Sequence, residues 1–291
     1  MRYVVFAAVL LMACESPQRE APAAMMLARL DDATIQERVI EVRTRLSPDP
    51  AGQRILGAMA AHGGLARWYS NGPLGVGFFY EEANRRVPIF TEMMIDTWRA
   101  RSIHQFPISG DSIRGFFGWT GEEAWQFPPG IQTPVNVRYW SLTPYYFLAF
   151  PFIMGDPGVV LELEEDAELD GRLCNVVRMT FEPGTGASPD DYYVVYIDKE
   201  TRRIAGIRFI VSYPGFFPNG GFFPEKMATP SGYKEVDGVL MPDSILFHPW
   251  ELDNSRGTQA AVGRVTYATF EPETMLELFD PPEEAEILPD F

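Results

Sequence analysis

From residue 31 onward the apolar positions follow two different periods. Ile35, Val39, Val42 and Leu46 recur at spacings of four, three and four, which places one apolar stripe on a helix over 31–46. Ser47-Pro48-Asp49-Pro50 breaks that helix, and Asp49 followed by Pro50 is a start signal for the next. The second helix carries Ile55, Leu56 and Met59 and stops at His62-Gly63-Gly64, with a short helical turn predicted over 65–69. From Gly72 the period becomes two. Leu74, Val76 and Phe78 alternate with Gly75, Gly77 and Phe79, and the polar odd positions of Thr97-Trp98-Arg99-Ala100-Arg101 predict a strand with one wet face. Residues 113–119 and 124–127 read as a hairpin about Thr120-Gly121-Glu122. Further strands are predicted over 159–163, 176–181, 233–236, 244–249 and 261–270, with a long hairpin of 192–197 and 204–213 turning at Asp198-Lys199-Glu200-Thr201. Helices that come first and do not alternate with the strands exclude a parallel α/β fold. The pattern predicts an α+β protein built on an antiparallel sheet of about ten strands.

Two segments interrupt this pattern. In Tyr139–Met154, seven of sixteen residues are aromatic, with Ser141 or Thr143 available to cap a helix, Pro144 in its first turn and Pro151 at its end. A helix apolar on every side must be covered on more than one face. Tyr213–Pro224 holds five aromatics in twelve residues, and its Gly and Pro content predicts an irregular loop. Together these segments hold 12 of the 39 aromatic residues, so the aromatic excess is local.

The N-terminus adds an address. Arg2 precedes an apolar run from Val4 to Ala13, long enough for an export signal and too short to span a bilayer. The run ends at Leu11-Met12-Ala13-Cys14, which resembles a bacterial lipobox with Cys14 as the lipidated residue. Residues 15–23 are polar and Pro-rich, as a tether would be. The expected organisation is a signal peptide over 1–13, a tether over 14–30 and a single domain over 31–291. Cys174, the other cysteine, lies in the apolar run Leu173–Val177 and reads as a buried thiol.

Charge and chemistry narrow the function. Asp and Glu number 40 against 24 Lys and Arg, a net charge of -16, so nucleic acid and anionic headgroups exert no general attraction. His62, His104 and His248 show no metal-binding spacing, and HExxH and CxxC are absent. Ser112, in Gly110-Asp111-Ser112-Ile113-Arg114-Gly115, misses the GxSxG pattern by one position. The acids of Glu162–Asp166 read as a solvated strand edge and Asp190-Asp191 as a turn, ahead of calcium binding. Paired carboxylates for glycoside chemistry stay open, since their separation is not visible in a sequence. No catalytic residue, cofactor or metal is implied.

Five phrases, in order, carry a resemblance. They are Ala61-His62-Gly63-Gly64-Leu65 leading to Trp68, Thr120-Gly121-Glu122-Glu123-Ala124-Trp125, Asp156-Pro157-Gly158-Val159, Tyr193-Val194-Val195-Tyr196-Ile197-Asp198 and Val236-Asp237-Gly238-Val239-Leu240-Met241-Pro242. Over about residues 50 to 285 the chain resembles the LolA/LolB-like superfamily, the lipoprotein-carrier fold, and within it the uncharacterised bacterial lipoproteins of a domain of unknown function. The resemblance implies a strongly curved antiparallel sheet, an incomplete β-barrel closed by helices, around an apolar cavity that takes acyl chains. The expected function is binding of an acyl chain, lipid or lipopeptide by a non-enzymatic protein. It would be lipid-anchored and face the periplasm, in the outer membrane. Trp98, Phe117, Trp119, Tyr146, Phe150 and Phe209 are the expected cavity residues. Phe216, Phe217, Phe222 and Phe223 are the expected membrane or protein-partner contacts. The alternatives are an envelope enzyme acting on lipid or glycan in the same pocket, and an assembly partner using the 214–224 loop.

Overall fold

The computed structural model describes residues 26–109, 113–188 and 190–289. Cys14, the signal segment, most of the tether and Ser112 lie outside these residues. Three helices open the described chain: α1 (Asp32–Leu46), α2 (Pro50–Ala61) and α3 (Leu65–Ser70). Their starts follow the capping rules. The Asp31 carboxylate accepts from the Thr34 N–H at 3.0 Å, and Asp49 accepts from Gly52 ahead of Pro50. Ile35, Val39, Val42 and Leu46 are the buried stripe of α1.

The strands are β1 (Leu74–Glu82), β2 (Ile89–Asp96), β3 (Arg101–Ser109), β4 (Ile113–Trp119), β5 (Ala124–Phe127), β6 (Val159–Leu169), β7 (Arg172–Phe181), β8 (Tyr193–Asp198), β9 (Ile204–Val211), β10 (Phe223–Ser231), β11 (Lys234–Val236), β12 (Val239–Met241), β13 (Ser244–Pro249), β14 (Ala261–Phe270) and β15 (Glu286–Leu288). Thirteen form one sheet in the order β15-β5-β4-β3-β2-β1-β14-β13-β10-β9-β8-β7-β6, and β11–β12 is a separate hairpin. The named pairings are all antiparallel, and the edge strands β15 and β6 do not meet. The sheet is open and curved, the architecture expected from the sequence, with more strands than the predicted ten.

Several local expectations need correction. Thr97–Ala100 is the turn joining β2 to β3. Asp96 accepts from the Trp98 and Arg99 backbone N–H groups and closes the turn, which overrides the alternation. The aromatic segment is two short helices, α4 (Val137–Trp140) and α5 (Thr143–Ala149), followed by a 3₁₀ turn over Phe152–Gly155. Asn136 caps α4. Neither Ser141 nor Thr143 caps α5, because both hydroxyls donate back to carbonyls of α4, those of Val137 and Tyr139. Asp191 is no solvated turn. It is buried and accepts from the backbone and hydroxyl of Ser212 at 2.6 and 2.7 Å. The acids Glu162–Asp166 do lie on the edge strand β6. Cys174 is buried in a small cluster with Val176, Val194, Tyr196 and Met227, on the sheet face away from the main core.

Two of the quoted phrases meet in space. The Leu240 N–H donates to the His62 carbonyl at 3.0 Å, so the β11–β12 hairpin docks on the end of α2. Gly63, at φ +111°, allows that approach: a Cβ there would lie 2.2 Å from the Gly238 carbonyl oxygen.

The strand ends define two rims. The first carries the 97–100 turn, the 199–203 turn and the chain after β14, where Leu27 pairs with Met275 and Ala28 donates to Thr274. The second carries the 213–222 loop and the 128–136 segment that leads into α4.

Candidate functional site

The site is the inner face of the sheet and the α4–α5 segment laid across it. Phe147 of α5 packs on Phe209 of β9 and Phe247 of β13, with ring centroids 5.0 and 5.2 Å apart. Tyr146 and Phe150 face Tyr193 of β8 at 6.1 and 5.7 Å. At the other end of the segment, Trp140 lies against Phe78 and Tyr80 of β1, and the Ser141 carbonyl receives the His104 ring of β3 at 2.9 Å. Six strand intervals separate β3 from β9, about 29 Å on a flat sheet at ~4.8 Å each. The segment that touches both runs only from Ser141 to Phe147, about 10 Å of helix. The sheet therefore curls around it, and the apolar helix is covered on more than one face.

The six expected cavity residues all belong to one hydrophobic cluster, at its centre or packed against it. Tyr146, Phe150 and Phe209 come together around Tyr193, Phe209 stacking on it at 6.0 Å. Phe117 and Trp119 stand on the opposite wall on β4, Phe117 stacked on His104 at 4.5 Å and Trp119 under the Arg138 guanidinium at 3.4 Å. Trp98 is separate. It sits in the first-rim turn against Tyr69, with the Arg38 guanidinium over its ring. In this conformation the rings of Trp140, Tyr146, Phe147 and Phe150 lie against the sheet.

The inner wall also holds polar atoms that the sequence reading missed. Thr91 Oγ1, Ser102 Oγ, His104 Nδ1 and Trp140 Nε1 are buried and have no hydrogen-bond partner among the described residues. The strand register puts the first three on one face: Met93 pairs with His104 and Ile95 with Ser102, so His104 lies between Ser102, two residues along β3, and Thr91, diagonal to it on β2. Trp140 is next to Ser141, which meets His104. Because a carbonyl only accepts, His104 Nε2 carries the proton and Nδ1 presents a lone pair. Burial lowers the His104 pKa to about 4, so the ring is neutral near pH 7. The wall thus offers three donors, Thr91, Ser102 and Trp140, and His104 Nδ1 as an acceptor beside the two hydroxyl oxygens. Thr91, Ser102 and His104 would have been legible as inward-facing polar residues had β2 and β3 been read in register.

The other histidines bond backbone carbonyls, His62 that of Ala58 and His248 that of Gly257. Among the described residues no histidine meets a carboxylate, and no group of three or more His, Cys, Asp or Glu is placed to hold a metal ion.

The expected contact loop sits on the second rim beside α4. Phe216 packs on Tyr139 and Tyr213, and Phe217 on Phe223. Phe222 is 62% exposed and Phe223 41%. The loop is thus a self-packed aromatic cluster with an exposed tip, joined to the helical segment through Tyr139.

No family model matches the chain, and no curated protein matches it in sequence. Solved structures do match its fold. A LolA superfamily protein from Nitrosomonas europaea superposes with a TM-score of 0.51 at 10% identity, over 79% of this chain and 97% of that one. A DUF1329 family protein from Desulfovibrio piger superposes at 0.50 and 11% identity, over 80% and 98%. With its open, curved antiparallel sheet and covering helices, the chain has a LolA-like fold.

Proposed function

We propose that this protein binds a hydrophobic ligand, an acyl chain, lipid or lipopeptide, against the inner wall of its half-barrel and performs no chemistry on it. In this reading Cys14 carries the lipid anchor, and the protein faces the periplasm from the outer membrane. The observation that carries the reading is the inner wall itself: it carries aromatic rings on β4, β8, β9 and β13 and, on its β2–β3 side, buried polar atoms without partners among the described residues. Rings would take the acyl part, at about 0.8 kcal/mol per buried CH₂ before ordering costs. Thr91, Ser102, His104 and Trp140 would take an ester or amide, which offers an acceptor and, in an amide, a donor. The LolA-like fold agrees with this by analogy. The ligand displaces α5, whose rings now occupy the wall, while Tyr139, packed on the 213–222 loop, keeps α4 and Trp140 in place on the hinge side of that movement.

Native mass spectrometry of the full chain after gentle extraction tests the reading. One lipid-sized adduct per chain is expected, and its occupancy should fall in F209D. A chain that emerges empty, and takes up no added monoacylglycerol, overturns the binding role. The anchor is tested separately: C14S should move the protein from the membrane fraction to the soluble one.

The exposed Phe222 and Phe223 favour a second role for the same protein, contact of the loop with a membrane or a protein partner. Replacing both with Ser should abolish that contact and leave lipid uptake intact.

A further inference from the structure

A cleft of about 520 Å³ opens at the first rim, outside the half-barrel wall described above. Gln53, Arg54 and Gly57 of α2 form one side. Asn175 of β7, Ile197 of β8, and Lys199 and Arg202 of the β8–β9 turn form the other. Three of its seven lining residues are cationic and none is acidic, in a chain whose acids outnumber its bases by 16. Lys199 pairs with Asp166, which also accepts from the Asn175 amide. Arg54 and Arg202 have no carboxylate within ion-pair distance among the described residues. Arg54 does lie near enough to Asp166 to help hold that carboxyl below its usual range, so three cations share one carboxylate at this concavity, although Asp and Glu together outnumber Lys and Arg 40 to 24.

Gly57 points the same way. It lies in the interior of α2, where glycine costs up to about 1 kcal/mol relative to alanine. Packing does not demand it, since a Cβ there would meet only the Arg202 side chain, at 3.8 Å. What the missing side chain leaves open is the cleft.

We propose that this cleft binds a phosphate group. Two guanidinium forks and an ammonium around one space suit a compact, multiply charged oxyanion better than a single carboxylate, and arginine forks match phosphate oxygens in pairs. The cleft is large enough for the phosphate and the polar group esterified to it. A phospholipid headgroup and free phosphate share the chemistry, and the experiment separates them. The inference does not depend on the half-barrel reading, because inorganic phosphate has no acyl chain.

Isothermal titration of the purified chain, with inorganic phosphate and separately with dihexanoyl phosphatidic acid below its micelle concentration, is the test. Saturable one-site binding is expected, weakened at least tenfold in R54Q/R202Q and weakened in G57L, with the far-ultraviolet spectrum and melting temperature of R54Q/R202Q unchanged. Equal affinity for the two probes would identify free phosphate as the ligand. Tighter binding of phosphatidic acid that is still lost in R54Q/R202Q would identify a headgroup. Absence of saturable binding by either probe, or binding that R54Q/R202Q does not weaken, overturns the proposal.

Discussion

Two buried ionisable residues give this protein opposite pH dependences. His104 has its pKa lowered from 6.5 to about 4 by burial. As the pH falls, the unfolded chain takes up the proton first. The contribution of this residue to stability is complete above about pH 6.5 and drains away towards pH 4. H104Q keeps a donor for the Ser141 carbonyl but cannot take up a proton. We expect it to cost about 1–2 kcal/mol at pH 7 and to lose less stability than wild type between pH 6.5 and 4 in urea melts. Equal losses would show that the ring is not held neutral. Asp191 behaves in reverse: burial raises its carboxyl from 3.8 to about 6. Its contribution is complete below about pH 3.8 and is lost as the pH rises through 6. D191N should therefore gain on wild type by up to about 3 kcal/mol from pH 4 to pH 7. A difference that stays constant over that range would remove Asp191 as the cause. Neither environment could be read locally. His104 and Asp191 owe their burial to the α4–α5 segment and the start of the 213–222 loop, both distant in sequence.

Among the elements, the helices were the most legible. Asp31, Asp49 and Pro50 act within one turn of their own sequence, so the starts of α1 and α2 needed no tertiary information. The hairpin of β8 and β9 was equally local, because Asp198 accepts from the N–H groups of Glu200 and Thr201 and closes its own turn. The short strands β12 and β15 were missed, and so were the longer β2, β3 and β10. Their sequences include Pro107, Lys226, Pro230 and inward Thr91, Ser102 and His104, and only pairing with neighbours makes them strands. Two contacts between elements are open to measurement. Trp68 of α3 stacks on Phe152 at 4.6 Å with the rings 6° apart, joining the first helices to the aromatic segment. W68A should destabilise the fold by about 3–5 kcal/mol, read from the shift in urea midpoint. G63A forces its Cβ into the Gly238 carbonyl and should cost more than about 2 kcal/mol. A loss below 1 kcal/mol would mean that the β11–β12 hairpin can lift from α2 freely.

For the whole molecule, stability should be graded from the middle of the sheet to its edges. β1, β14 and β13 have strands on both sides, whereas β15 is three residues long and pairs only with β5. Hydrogen exchange should release the amides of β15 first and those of β1 and β14 last. Uniform exchange would mean that the sheet opens as one unit. The two rims differ in character as well. One holds the cationic cleft and the place where the described chain begins, and the other holds the exposed phenylalanines and the connection to α4. The large negative charge is thus compatible with one local site for an anion, because screening in salt confines each charge to about 8–10 Å.

The antiparallel class, the first helices with their caps, the buried Cys174 and the concentration of aromatics in two segments are all written locally in the chain. These follow from period, turn chemistry and composition, which act over a few residues. The tertiary structure alone decided how far the sheet curls, which rings meet around Tyr193, and which polar atoms are left unpartnered beneath α4–α5. It also decided which cations gather beside Gly57 around the one carboxylate of Asp166. Each of these depends on residues brought together across several strands, and no local period encodes that distance.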